Sequence, residues 1–204
     1  KTIQEKTILG MAQMVESRDL STGGHINRTS DCVRVFIEYL QQTGKMDLSP
    51  SFCASIIKAA PMHELGKIAV DDAVLRKPGR FTDEEYNKMK EHAAAGKNIV
   101  EKVLSEVDDE EFKNIAINVA HYHHEKWNGA GYPNKLKGEE IPVAARIMAV
   151  ADVFDALCSN RSYKKAFTID ESYKIMIESK NSHFEAELVD ILIKLRPEME
   201  SIYC

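Results

Sequence analysis

Glycine and proline are scarce, at ten and six in 204 residues, which excludes collagen-like, linker-like or mainly disordered protein. Long apolar runs are missing too. The best candidate is broken by Arg146, far short of the ~18–20 residues that cross a bilayer, so no membrane contact is expected. The start, Lys1-Thr2-Ile3, lacks the apolar stretch and small-residue site of a signal peptide. It also lacks an initiator Met, and we expect a piece excised from a longer chain. Cysteine is sparse and scattered. Cys32, Cys53, Cys158 and Cys204 form no C-x-x-C pair, which reads as reduced thiols of a cytoplasmic protein. Positive charge is short as well. With 27 basic against 32 acidic residues the net charge is −5, and no basic patch suggests DNA or RNA polymer as a partner. A small phosphate-bearing substrate stays open, since a metal ion can supply positive charge locally.

What remains is 44% hydrophobic and long enough to bury roughly 70% of its unfolded surface as one domain over 1–204. The apolar period is helical nearly throughout. Ile8, Met11, Ala12 and Val15 make one stripe, and Val33, Phe36, Ile37 and Leu40 another. Phe112 to Val119, Ile147 to Phe154 and Leu188 to Leu195 repeat the spacing. Ser49-Pro50 reads as an N-cap with proline in the first turn, and Gly44 as a helix stop. Thr82 with Glu85, and Thr168 with Glu171, have capping-box spacing. No alternating stretch makes a persuasive strand, and residues 127–142, rich in Gly and Pro, form a structured loop. The expectation is an all-α helical bundle.

Seven histidines would carry little weight if scattered, since a lone histidine is more often a hydrogen-bonded core or surface residue. Here they have company. His63-Glu64 and His123-His124 each close a predicted helix, and His25 and His92 fall near the starts of two more. Asp152 lies inside an otherwise apolar helix, where a carboxylate is costly unless paired or metal-bound. His123 continues the stripe from Ala116 and so points inward. Neighbours on a helix diverge by ~100°, so His123 and His124 would serve two ions side by side. Imidazoles and carboxylates without thiolate suit Fe, Mn, Zn or Ni better than Mg or Ca. His121 and His183 are read as ordinary histidines.

The order His25, then His63-Glu64-Leu65-Gly66-Lys67, then His92, then His123-His124-Glu125-Lys126-Trp127-Asn128-Gly129-Ala130-Gly131-Tyr132-Pro133, then Asp152-Val153-Phe154-Asp155 resembles the HD-GYP family. The match runs from Glu16-Ser17-Arg18-Asp19 to His183-Phe184. That resemblance implies an HD-superfamily bundle with a structured G-Y-P loop and a phosphodiesterase opening cyclic di-GMP to pGpG, with GMP as an open second product. By the same resemblance the metal ligands are His25, His63, Glu64, His92, His123, His124 and Asp152. They would hold two divalent ions, Fe or Mn first, then Zn or Ni. Lys67, Glu64 and Asp152 would serve catalysis around a water acidified toward pKa ~7 between the ions. Tyr132, Arg161 and Lys164 would meet nucleotide or phosphate. Asp155, one turn from Asp152, is grouped with them as a residue that orients such groups.

Departures from the family pattern set the alternatives. Glu64 stands where the family has aspartate, Asn128 where an aspartate follows the tryptophan, and His183-Phe184-Glu185-Ala186 in place of H-F-D-P. Ser21 occupies the position of a third-site glutamate, so two ions are expected rather than three. Two other readings stay open: a phosphohydrolase for pGpG or another cyclic dinucleotide, and a degenerate domain that binds nucleotide or a partner without turnover. The resemblance further implies an upstream sensory or receiver domain and a homodimer through the first helix.

Overall fold

The computed structural model describes residues 2–19, 23–160 and 165–203. Ser21, Arg161, Lys164 and Cys204 lie outside the described residues. Among the described residues ten α-helices follow one another: α1 (Ile3–Glu16), α2 (His25–Thr43), α3 (Pro50–Ala59), α4 (Asp72–Leu75), α5 (Asp83–Val103), α6 (Glu110–Tyr122), α7 (Val143–Cys158), α8 (Ile169–Glu178), α9 (Ala186–Lys194) and α10 (Arg196–Tyr203). No strand forms among the described residues, only the isolated bridges Asn128–Lys137 and Lys180–Phe184.

The helix boundaries follow local chemistry. Thr82 and Thr168 close reciprocal capping boxes with Glu85 and Glu171, and Thr2 does the same with Glu5. Ser49 accepts from Phe52 N ahead of Pro50, and Gly44 ends α2 in the left-handed conformation. The predicted stripes are buried apart from Met11, which packs at the margin of the core. α7 differs from its neighbours. Ala144, Ala145, Ile147, Met148, Ala149, Val150, Ala151 and Phe154 bury it nearly all round, as expected of a central helix. Any polar group on it must therefore find a partner inside the protein.

One segment departs from the expected helices. His63 and Glu64 do not close an α-helix but belong to a ten-residue 3₁₀ stretch, Ala60–Ala69, that continues from α3. Pro61 explains the change: it has no N–H to donate to the preceding turn and its ring crowds that turn's carbonyl. A 3₁₀ run this long is uncommon, and it brings residues three apart into line, Glu64 over Lys67 and His63 over Gly66. Gly66 lets this stretch touch α5, because a Cβ there would lie 1.8 Å from His92 O and 2.5 Å from Gly96 N. Only glycine fits the crossing.

His92 also differs from expectation. It lies well inside α5 rather than near its start. The first turns of α5 are charged and face solvent, so the apolar stripe begins late while the Thr82 cap marks the true start.

Candidate metal centre

The helices converge on two groups of donors. His25, His63, Glu64 and Asp152 form one, and His92, His123 and His124 the other, with ligand atoms within 4.8 Å of one another in each. His25 opens α2, His63 and Glu64 come from the 3₁₀ stretch, His92 from α5, His123 and His124 from the end of α6, and Asp152 from α7. The groups adjoin. His63 and His123 ring centroids are 5.3 Å apart, and Glu64 Oε2 lies 3.6 Å from His92 Nε2.

The ring orientations are fixed from behind. Nδ1 of His63, His92 and His123 donates to the carbonyls of Ala60, Met89 and Val119 at 2.8, 2.6 and 2.9 Å. Each Nε2 is thereby left as a lone-pair donor aimed into the centre. His92 Nε2, His123 Nε2 and Glu64 Oε2 are buried without any hydrogen-bond partner. Such orphaned acceptors are costly in a protein interior unless something positive meets them. Nε2 of His25 and Nε2 of His63 face each other at 3.0 Å. Bonds of roughly 2.1 Å to one cation, at a right angle, give that spacing. These residues fit divalent metal.

Electrostatics agree. Burial lowers His63 and His124 below the ordinary imidazole value, and takes His92 and His123 to about 4, so all four are neutral at pH 7, as metal binding requires. Burial would raise the Glu64 carboxyl, but Lys67 beside it holds it well below the usual range. His25 is raised: burial opposes, and the hydrogen bond it donates to Asp155 prevails. Asp155 is buried, with His25 Nδ1 at 2.8 Å and Arg28 Nε at 2.6 Å on its two oxygens. Its carboxylate is spent on orienting His25 and leaves no face for a substrate.

Lys67 Nζ lies 2.8 Å from Glu64 Oε1 and 3.0 Å from Asp19 Oδ2. Burial works against its charge, and the two carboxylates still raise its pKa, so Lys67 keeps its proton. Tyr132 is delivered by the loop after α6. Its N–H donates to His124 O at 3.2 Å and its ring stacks on His124 with centroids 4.8 Å apart. Burial raises the phenol, which stays protonated.

Sequence reasoning missed the residue that shapes this loop. Buried Glu125 accepts from Asn134 N at 2.6 Å and Leu136 N at 3.1 Å, tying the segment that follows the cis Tyr132–Pro133 peptide to the end of α6. Gly131 crosses directly over it, where a Cβ would lie 2.5 Å from Glu125 Cα. The signal was an acid immediately after two histidines, at the start of a loop rich in Gly and Pro. Asn128 accepts from Ala130 N at 2.9 Å, a turn that aspartate would make equally well. Glu185, the other departure, pairs with Arg146 at 2.7 Å away from the centre. His121 and His183 belong to neither donor group.

A family profile described as an HD domain matches residues 11–188. The chain is 39% identical over 204 residues to a cyclic di-GMP phosphodiesterase of Vibrio cholerae, covering 99% of this chain and 42% of that protein. It is 36% identical over 190 residues to a 3'3'-cGAMP-specific phosphodiesterase of the same organism, covering 93% of this chain and 34% of that protein. It thus spans less than half the length of these curated relatives. Among solved structures, a cyclic GMP-AMP-specific phosphodiesterase of V. cholerae superposes with a TM-score of 0.65 at 18% identity, over 95% of this chain and 50% of that one. That likeness is one of fold.

Proposed function

The chain belongs to the HD domain family, and from that premise we propose that it is a metal-dependent phosphodiesterase that opens cyclic di-GMP to pGpG. The observation that carries this reading is the pair of adjoining donor groups with orphaned acceptors between them, beside a protonated lysine. His25, His63, Glu64 and Asp152 would hold one divalent ion, and His92, His123 and His124 a second, with Glu64 facing both. Nitrogen and carboxylate donors without thiolate favour Fe or Mn, with Zn or Ni next. Bound there, such ions supply acidified water and neutralise charge on the scissile phosphate.

The chain's own residues do the rest. Asp155 and the backbone carbonyls hold the imidazoles in one tautomer. Lys67 keeps its proton and offers positive charge to the non-bridging phosphate oxygens, where charge grows in the transition state. Tyr132 offers a neutral O–H to the same region, and Glu125 fixes the loop that brings it. Arg161 and Lys164, which lie outside the described residues, are assigned to the nucleotide or its phosphates by the resemblance alone. An upstream regulatory domain and a homodimer through α1, which exposes Ile3 and Met14, complete the proposal.

The experiment is anaerobic purification with Fe or Mn followed by chromatography of products from cyclic di-GMP. Appearance of pGpG, with or without GMP, is the expected result. Metal-loaded protein that leaves cyclic di-GMP intact overturns it. The relative named for 3'3'-cGAMP supports a second reading, a preference for that mixed dinucleotide, which turnover of both compounds side by side decides.

A further inference from the structure

Two residues at the edge of this centre are used by nothing described so far. Tyr86 and Lys90, one turn apart on α5, precede His92 and rise beside the Tyr132 loop. Tyr86 is 48% exposed, a large ring left in solvent at the rim of a buried polar site. Its ring meets that of Tyr132 nearly at right angles, with centroids 6.5 Å apart, and Tyr132 in turn stacks on His124. Lys90 Nζ lies 4.9 Å from the centre of the Tyr86 ring and 6.0 Å from that of Tyr132. Among the described residues no carboxylate pairs with Lys90, whereas Lys67 has two and Lys77 has one.

A helix could place a Tyr–Lys pair at this spacing for its own sake, since such neighbours stabilise helices slightly. The placement here does more. The pair extends the His124–Tyr132 stack outward into a continuous wall that begins at donor-group imidazoles and ends in an exposed ring. A ring face exposed next to a phosphate-binding centre is a platform for a nucleobase, because every base has a π-face to stack. A half-buried ammonium held between two rings rather than by an acid keeps its full charge for an anion.

We propose that Tyr86 and Lys90 form a nucleotide subsite at the rim of the metal centre, Tyr86 stacking on a purine base and Lys90 meeting the phosphate that is not being cleaved. The proposal rests on the phosphodiesterase reading for the identity of the ligand. It adds a specificity element outside the family motifs quoted above, on the helix that carries His92. Nothing in it requires Tyr86 or Lys90 to take part in bond cleavage.

The test compares cyclic di-GMP with bis(p-nitrophenyl) phosphate, a diester with no base and no second phosphate, using the metal-loaded full-length protein. Tyr86→Ala and Lys90→Gln should each raise KM for cyclic di-GMP by about tenfold, with kcat near wild type. Hydrolysis of the small diester should be unchanged. Tyr86→Phe should keep wild-type KM, and the Lys90→Gln effect should shrink as salt rises. Unchanged KM for cyclic di-GMP in both alanine and glutamine variants overturns the subsite, and so does an equal loss on both substrates, which marks the pair as mere support for His92. Should the wild type cleave only the small diester, the reading of cyclic di-GMP as substrate fails. The subsite is then read by binding of fluorescent cyclic di-GMP without turnover: weaker binding by Tyr86→Ala supports it, and equal or absent binding overturns it.

Discussion

Lys67 Nζ lies 2.8 Å from Oε1 of Glu64, and the other oxygen of that carboxylate faces Nε2 of His92 at 3.6 Å with no hydrogen-bond partner. One side chain is thus divided, half committed to a lysine and half held out toward the donor nitrogens. The 3₁₀ geometry of residues 60–69 makes the first contact, and the close crossing at Gly66 makes the second.

Removing the charge of Glu64 tests that division. Glu64→Gln keeps the shape but should lower metal content and cut kcat/KM at least about 100-fold. Glu64→Asp, which keeps the charge on a side chain one methylene shorter, should stay within about tenfold of the parent. Metal-to-protein ratios by mass spectrometry, beside turnover, read both.

Gly66→Ala should fail for a steric reason alone. The added methyl has backbone on its far side, at 1.8 Å from His92 O, so α5 must move away. A loss of about 3 kcal/mol or more in urea unfolding is expected. Metal retention should fall with it, because His92 moves with the helix.

Glu125→Ala should loosen the loop that carries Tyr132. It leaves the N–H groups of Asn134 and Leu136 without their acceptor, at a cost of about 2 kcal/mol. KM for the cyclic dinucleotide should rise more than kcat falls, while metal content stays at the parent value. A drop in metal content would place Glu125 nearer the ligands than its contacts indicate.

Acid should destabilise the metal-free protein in a defined window. His92, His123 and His183 have folded values of about 4, each lowered chiefly by burial, and His63 and His124 are lowered as well. The unfolded chain, with values near 6.5, binds more protons than the folded one between these limits, so stability falls as pH drops from ~6.5 to ~4. His25, raised by Asp155, opposes this in part. Urea midpoints at pH 7, 6, 5 and 4.5 should decline steadily. A flat profile would mean that these imidazoles are solvated in the folded state.

The helices were readable because their stripes and caps are local. Thr82 and Glu85 lie three residues apart, and so do most pairs that define a stripe. The donor residues were readable one by one, as acids and imidazoles at spacings that a resemblance could match. Their grouping was not: His25 and Asp155 meet across 130 positions, and only packing on α7 brings them together. The 3₁₀ stretch was not legible, because residues leading to His63-Glu64 look alike in sequence whether Pro61 ends the preceding helix or tightens it. Tyr86 and Lys90 carry no motif. Their interest arises only when the loop after α6 lays Tyr132 beside them.

Three imidazoles in the centre are locked by main-chain carbonyls of the elements that bear them, Ala60, Met89 and Val119. A ligand that cannot swivel cannot adjust its reach. The centre should therefore sort ions by radius as well as by donor preference. An ion asking for bonds of about 2.3–2.6 Å, as calcium does, would have to push whole helices apart. One content with about 2.0–2.2 Å meets nitrogens already in position.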